Sequence, residues 1–458
     1  MSYETAVAQM YALGHELAQT PSHKFDLAHM RVLLSALGHP EKRFPSVLIA
    51  GTNGKGSTAA TLASILQASG LTTGLYTSPH LVEINERIRL NGAPIGNDDF
   101  ATVHDVVGRT AERLVQEGDL PWHPSVFEML TAMGFEYFAR SRPDMVVLEV
   151  GMGGRLDATN MVEPRLTIIT DISLDHQNYL GDTISQIARE KAGIIRPGGT
   201  VVTLPQLPDA NDVIGNAILD AGASAVNAVP YVPPVSPGSA SSLSNDGNIV
   251  GEQADVRNRY PLEVLGSQIM VESPLVGRHQ LRNLALAIAA AVELRNQGLT
   301  NITPETIAQG IRETHWPGRF QLIPAAGQNP DYVLDVAHNP AGAWALRSTL
   351  SAAYADSREI TLVFGVMRDK AVQEMTEILF PVAAHVIVTH ASNPRSASAD
   401  EIRQASARIA AGIDIEEAED VASALEQAKQ VAGPRGLIVV TGSIYIVGEV
   451  MRNLGVRI

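Results

Sequence analysis

No cysteine occurs among the 458 residues, which excludes disulfides, thiolate catalysis and Cys-ligated metals. Basic charge is also scarce: 34 Lys and Arg stand against 49 Asp and Glu, a formal net charge of −15. That balance argues against a general nucleic-acid binder, which displays a basic surface. It leaves room for a local site that takes an anionic small ligand. No apolar run approaches the roughly 20 residues that a membrane span needs. The opening segment, MSYETAVAQMYALGHEL, has neither the basic start nor the unbroken apolar stretch of a signal peptide. The expectation is a soluble, cytoplasmic protein with no membrane or nucleic-acid partner. No internal repeat is found.

What the sequence does contain is the make-up of an ordinary globular protein, 45% hydrophobic and 18% charged, long enough for two or three domains. Short apolar runs alternate with helical patterns: Val47–Ala50, Met145–Val150, Leu166–Thr170, Tyr332–Val336, Ile360–Phe364, His385–Val388 and Leu437–Val440. Continuous β-branched runs bounded by turns suit strands buried on both faces, and hence an α/β architecture. The proline- and serine-rich segment at 229–261 reads as a surface loop or insertion. A domain boundary is expected near HWPGRFQ (His315–Gln321), dividing residues 1–316 from 317–458.

The stretch GTNGKGS (Gly51–Ser57) follows the apolar run at 46–50 and precedes Leu62, Ile65 and Leu66 at helical spacing. Strand, glycine-rich turn and helix are in the order of a phosphate-binding loop. There, backbone N–H groups and a helix N-terminus face the anion and a lysine adds a point charge. The usual pattern G-x-x-x-x-G-K-[ST] is nevertheless missed: Ile49 replaces the first glycine and Gly56 separates Lys55 from Ser57. A plain glycine turn is the alternative. Glu149 ends the apolar run MVVLE, where a carboxylate either reaches solvent or is neutralised by a cation. His176 follows a strand and an acidic turn, a position open to a metal ligand or to an ordinary loop histidine. Thr183–Gln186 forms a capping-box pattern opening a helix that ends around Gly193. On that helix Ile184, Ile187, Ala188 and Lys191 share one stripe. Lys191 therefore points inward, either snorkelling to solvent or held neutral enough to react, for instance with carbon dioxide to give a carbamate.

Taken together, GTNGKGS, YTSPHLVEINERI (Tyr76–Ile88), LEVGMGGRLDATN (Leu148–Asn160), LDHQNYLG (Leu174–Gly181) and EKAGI (Glu190–Ile194) resemble the folylpolyglutamate synthase family. The resemblance is closer to its bacterial bifunctional dihydrofolate synthase/folylpolyglutamate synthase branch, within the Mur-ligase superfamily. It runs from about Lys24 to the C-terminus, apart from the proline-rich insertion. It implies a large N-terminal P-loop ATPase-like α/β domain with a mostly parallel sheet and a smaller Rossmann-like C-terminal domain. It further implies an ATP- and Mg²⁺-dependent ligase that adds L-glutamate to dihydropteroate or a reduced folate and works as a monomer.

At matching positions the resemblance implies that Asn53, Gly54, Lys55, Gly56 and Ser57 hold the ATP phosphates. Asn283 would contact adenine, Arg319 the phosphates and Asp335 the ribose, with His338 assisting. Ser78, Glu149 and His176 would coordinate Mg²⁺, Lys191 would be carbamylated, and Lys55, Lys191, His176 and Arg319 would form the catalytic set. Phe25, Asp26, Leu27, Phe127, Glu128, Leu156, Asp157 and Ala158 match positions linked to the pterin. Because the nucleotide residues come from both domains, closure about Pro317–Gly318 is expected. Val336, Ala371 and Ser396 depart from the family pattern, which puts glutamate binding and tail-length preference in question. A cell-wall or cyanophycin-type ligase and a non-ligating P-loop switch are the rival readings. The segments GGRLDATN and TSPHLVEINERI argue against the first, and the second leaves Glu149, His176 and Lys191 without a role.

Overall fold

The computed structural model describes residues 1–14, 27–234, 257–324, 329–354, 358–409, 413–434 and 436–456. The centre of the proline-rich segment (235–256), like Phe25 and Asp26, lies outside them. The described residues pack as two compact units. One comprises those of Met1–Val232, Leu262–Ile269 and Arg282–Glu313, and the other those of Pro233–Pro261, Met270–Leu281 and Thr314–Ile458. Where the sequence suggested one division at 316/317, these units part at Glu313/Thr314 and again within 233–281.

The first unit is built on an eight-stranded sheet: β1 (Ser46–Ala50), β2 (Thr73–Tyr76), β3 (Ile88–Leu90), β4 (Ala93–Pro94), β5 (Met145–Glu149), β6 (Leu166–Ile169), β7 (Thr200–Thr203) and β8 (Ser224–Asn227). Their order is β4-β3-β2-β5-β1-β6-β7-β8. Only β3 and β4 run antiparallel to their neighbours. The runs SVLIA and MVVLE are buried at every position, as expected of central strands covered on both faces. One face packs Leu48, Tyr76, Val146 and Leu148 against Phe100, Phe135 and Phe138 from the helices Asn97–Glu117 and Val126–Ser141. A smaller cluster of Ile169, Val201, Ile187 and Ala188 holds the helix Ile184–Ala192.

Between β1 and β2 the phosphate-loop helix spans Lys55–Ala68. It begins directly after Gly54, which takes the cap position at φ 85°. A hairpin follows β8 in the chain, β9 (Asn258–Val264) with β10 (Ser267–Ser273).

The second unit carries β11 (Gln321–Ile323), β12 (Asp331–Leu334), β13 (Ile360–Phe364), β14 (His385–Val388), β15 (Asp414–Glu417) and β16 (Leu437–Thr441) in the order β11-β12-β16-β13-β14-β15. All pairs are parallel except β11 with β12. Its core joins Val333, Leu362, Phe364, Phe380, Val388 and Val439. Both units are therefore α/β with parallel-rich sheets. No helix among the described residues is long and apolar enough to cross a membrane.

Candidate functional site

In the first unit, strand order brings the candidate residues together. β1 lies between β5 and β6, and the register pairs Ile49 with Glu149 and Ala50 with Ile169. The loops leaving β1, β5 and β6 therefore start side by side at the carboxyl edge of the sheet, where open α/β sheets place ligands. Gly51–Gly54 leaves β1, the 150–158 turn leaves β5, and Thr170–His176 leaves β6.

The glycine-rich loop is tied down from that side. Thr52 N and Asn53 N both donate to the Asp171 carbonyl, at 2.8 and 3.3 Å. Thr52 Oγ1 donates to the Ser173 carbonyl (3.0 Å) and accepts from Ser173 N (3.1 Å). The Asn53 amide donates to Ser173 Oγ at 3.0 Å. Two glycines are required by space and backbone alike. A Cβ on Gly51 (φ 156°) would lie 1.7 Å from Thr170 Oγ1, and one on Gly54 would lie 2.1 Å from Asn283 Oδ1. Gly56, Ser57 and Asn283 are buried, and Thr58 Oγ1 donates to the Asn283 carbonyl at 3.4 Å. Lys55 Nζ donates to the Thr52 carbonyl (3.1 Å), keeping its charge at the loop.

Glu149 is only 5% exposed; its Oε2 accepts from Ser78 N at 3.3 Å. Ser78 sits in the loop after β2, whose shape is set by another carboxylate. Glu86 accepts from the backbone N–H groups of Leu81, Val82 and Glu83, at 2.9, 2.7 and 2.5 Å. His176 adopts a left-handed backbone (φ 50°) at the start of a short helical turn, Gln177–Leu180, and its N–H is held by Asp175 Oδ1 at 2.8 Å.

The helix Ile184–Ala192 has the expected capping box between Thr183 and Gln186. It buries Ile187, Ala188 and Lys191 on one side, with Ile184 half-buried. Lys191 does not snorkel. Its Nζ donates to the Gly51 carbonyl at 2.7 Å. Burial first, and then the Lys55 charge, lower its pKa from 10.5 to about 7 against the opposing pull of Asp175 and Asp157. An amine that loses its proton near neutral pH is thus directed at the base of the phosphate loop.

Of the residues expected from the resemblance to meet the pterin, Leu27, Ala158 and Asp157 are buried. The helix Leu27–Ala36 packs on the turn at 158–161. Asp157 accepts from Met152 N, Thr159 N and Thr159 Oγ1 at 2.9, 3.0 and 2.5 Å. Burial raises its pKa, and these hydrogen bonds oppose the rise. Phe127 packs so closely on Gly151 that a Cβ there would come within 2.5 Å of its ring. Leu156 is half-buried. The carboxylate of Glu128 is engaged in capping its own helix, with Oε2 accepting from Ser125 N (2.8 Å) and Ser125 Oγ (2.7 Å).

In the second unit, Asp335 follows β12 and accepts from Phe320 N (2.8 Å) and Ala337 N (2.9 Å). Burial raises its pKa, opposed first by the Arg319 charge. Arg319 Nη1 donates to the Gly318 carbonyl (3.3 Å), and His338 Nδ1 bonds to the Val336 carbonyl (3.0 Å). Arg319, Asp335 and His338 thus form one local group.

Three features were not read from the sequence: the Thr52–Ser173 lacing, the Glu86 loop anchor, and a bidentate ion pair between Asp171 and Arg282. The ion-pair partners stand 111 residues apart, and no local pattern announces such a contact.

Residues 128–291 match the family described as Mur ligase middle domain, and 318–444 that described as Mur ligase, glutamate ligase domain. The dihydrofolate synthase/folylpolyglutamate synthase of Bacillus subtilis (strain 168) is 36% identical over 430 residues, 93% of this chain and 94% of that protein. The Mycobacterium tuberculosis folylpolyglutamate synthase complexed with ADP superposes with a TM-score of 0.83 at 31% identity, covering 100% of this chain and 99% of that one. E. coli FolC in complex with DHPP and ADP gives 0.81 at 28% identity, covering 99% and 98%. With the phosphate loop, the inward lysine and both α/β units in place, the chain belongs to the dihydrofolate synthase/folylpolyglutamate synthase family of Mur ligases.

Proposed function

We propose that this protein is an ATP-dependent ligase that joins L-glutamate to a pteridine acid, dihydropteroate and/or a reduced folate. The observation that carries the reading is the meeting of a phosphate loop, a buried strand-end carboxylate and a buried low-pKa lysine at one sheet edge. An oxygen of the acceptor carboxylate attacks the γ-phosphorus of ATP and ADP leaves, giving an acyl phosphate. The glutamate amine then attacks the acyl carbon, the C–O bond to phosphate breaks, and the amine proton passes to solvent. No protein nucleophile takes part.

Lys55, the loop N–H groups and Ser57 bind the phosphates and offset their charge. Asn283 contacts the base, and Arg319, Asp335 and His338 are the remaining residues proposed as nucleotide ligands. A guanidinium suits the bidentate geometry of phosphate. Leu27, Phe127, Leu156, Asp157 and Ala158 line the acceptor side in this reading, and Phe25, Asp26 and Glu128 belong to the same expectation.

The donor set fits Mg²⁺. Glu149 and Ser78 offer hard oxygens, His176 offers a nitrogen, and no group of three His, Asp or Glu side chains that could by itself hold a metal ion is present among the described residues. Such a site suits an ion that keeps waters and phosphate oxygens as its main ligands. When bound, Mg²⁺ would supply charge stabilisation to the phosphoryl group. Lys191 Nζ, in its neutral form, adds to carbon dioxide to form a carbamate and release a proton, converting a buried neutral amine into an anion beside the loop. The working species is expected to be a cytoplasmic monomer.

The test is direct. Purified protein receives ATP, Mg²⁺ and glutamate with dihydropteroate, tetrahydrofolate or a cell-wall precursor, while ADP and product mass are followed. Glutamate-dependent ADP release with a folate-type acceptor is expected. Its absence with both folate-type acceptors would overturn the reading, and activity on the cell-wall precursor alone would replace it.

A further inference from the structure

Asp171 occupies an unusual place: its two ends hold two different parts of the first unit. Its carbonyl accepts from Thr52 N and Asn53 N of the phosphate loop. Its carboxylate takes the guanidinium of Arg282, with Nε 3.0 Å from both oxygens and Nη2 2.5 Å from Oδ1. Arg282 Nη2 also donates to the Pro205 carbonyl at 2.9 Å, so the fork is fixed by two acceptors. The next residue is Asn283, whose Oδ1 fills the space where a Cβ on Gly54 would stand. A forked, charge-assisted contact fixes orientation as well as distance.

We propose that the Asp171–Arg282 ion pair is a positioning device for the nucleotide, holding Asn283 in register with the phosphate loop. The proposal rests on the nucleotide reading of this site. Neither side chain needs to touch the ligand. One residue carries the loop on its main chain and Arg282 on its side chain, so the spacing between phosphate and base subsites is set through it. Both side chains are about one-third exposed, 33% for Arg282 and 36% for Asp171, and a pair so exposed adds little to global stability. Its loss therefore separates cleanly from unfolding.

The experiment is a double-mutant cycle of Asp171→Asn, Arg282→Gln and both together, with Arg282→Lys as the conservative variant. ATP affinity is measured by titration calorimetry, and kcat and KM are measured for ATP, glutamate and the pteridine acceptor. Each single variant is expected to weaken ATP binding and raise the KM for ATP about fivefold, with kcat within about twofold. The double variant should be no worse than either single one, and Arg282→Lys should fall between. The KM values for glutamate and acceptor, and the melting temperature, should hold.

Unchanged ATP affinity in the singles, additive losses in the double, or parallel loss in every KM with a fallen melting temperature would each overturn the proposal. Failure of the wild-type protein to bind ATP would refute the nucleotide assignment itself, and this proposal with it. ATP binding without glutamate ligation would refute only the ligase reading, and the calorimetric cycle would still decide the role of the pair.

Discussion

Lys191 offers the sharpest quantitative test. Its pKa of about 7 in the folded protein compares with 10.5 for the free side chain. Between these values the unfolded chain holds a proton that the folded one does not, so stability rises with pH across that window and is lowest below it. At about 1.4 kcal/mol per pH unit, the whole gap is on the order of 5 kcal/mol. Lys191→Met keeps an unbranched apolar stem but lacks the amine and cannot titrate. The Gly51 carbonyl then loses the donor now 2.7 Å away, which costs about 1–3 kcal/mol at every pH. The variant therefore differs from the wild type by a constant offset plus a slope. Urea unfolding in carbon dioxide-free buffer from pH 7.5 to 9.5 should show the wild type gaining about 2–3 kcal/mol relative to Lys191→Met. Parallel curves would refute the claim that Lys191 is buried with a depressed pKa. The same depression leaves roughly three-quarters of the amine neutral at pH 7.5, against about one part in a thousand for an ordinary lysine. With ¹³C-bicarbonate, a carbamate resonance should appear in the wild type and be missing from the variant. Its absence from the wild type at pH 8 would defeat the carbamate proposal while leaving the pKa untouched.

Two further substitutions test the geometry. Gly54→Ala places a methyl group 2.1 Å from Asn283 Oδ1 at a residue with φ 85°; backbone strain of about 1 kcal/mol or more and displacement of Asn283 should weaken ATP binding at least about tenfold. Retained affinity by calorimetry would show that the loop does not bind as inferred. Glu86→Ala strips three backbone N–H groups of their acceptor in a residue 7% exposed. At about 1–3 kcal/mol per orphaned group, it should lower the melting temperature by several degrees and open the 78–87 loop to protease; a melting temperature within about one degree of wild type would contradict this.

The boundaries of β13 and β14 coincide with the runs Ile360–Phe364 and His385–Val388, and β1, β5, β6, β12 and β16 lie within two residues of theirs. Those strands are buried on both faces, so continuous apolar sequence marks them. β15 escaped notice because it is DIEE, an exposed edge strand whose carboxylates discourage further pairing. β2, β3 and β4 were missed for a related reason: they are two to four residues long and contain glycine, arginine or proline. The helix carrying Lys191 was legible because its capping box and stripe are local patterns within ten residues.

The sequence alone thus determined the two-part α/β character, the strand–loop–helix order at GTNGKGS and the inward side of Lys191. Each follows from propensity and periodicity over a short window, whereas the family resemblance rests on the order of several motifs. Only the tertiary structure decided that Glu149 stands beside Ile49, that Lys191 reaches Gly51 rather than solvent, and that Asp171 takes Arg282. Parallel strands pair across long crossovers, so which strand lies next to β1 is set by how helices and sheet pack over the whole unit. Contacts spanning 140 and 111 residues exist only once that packing is complete.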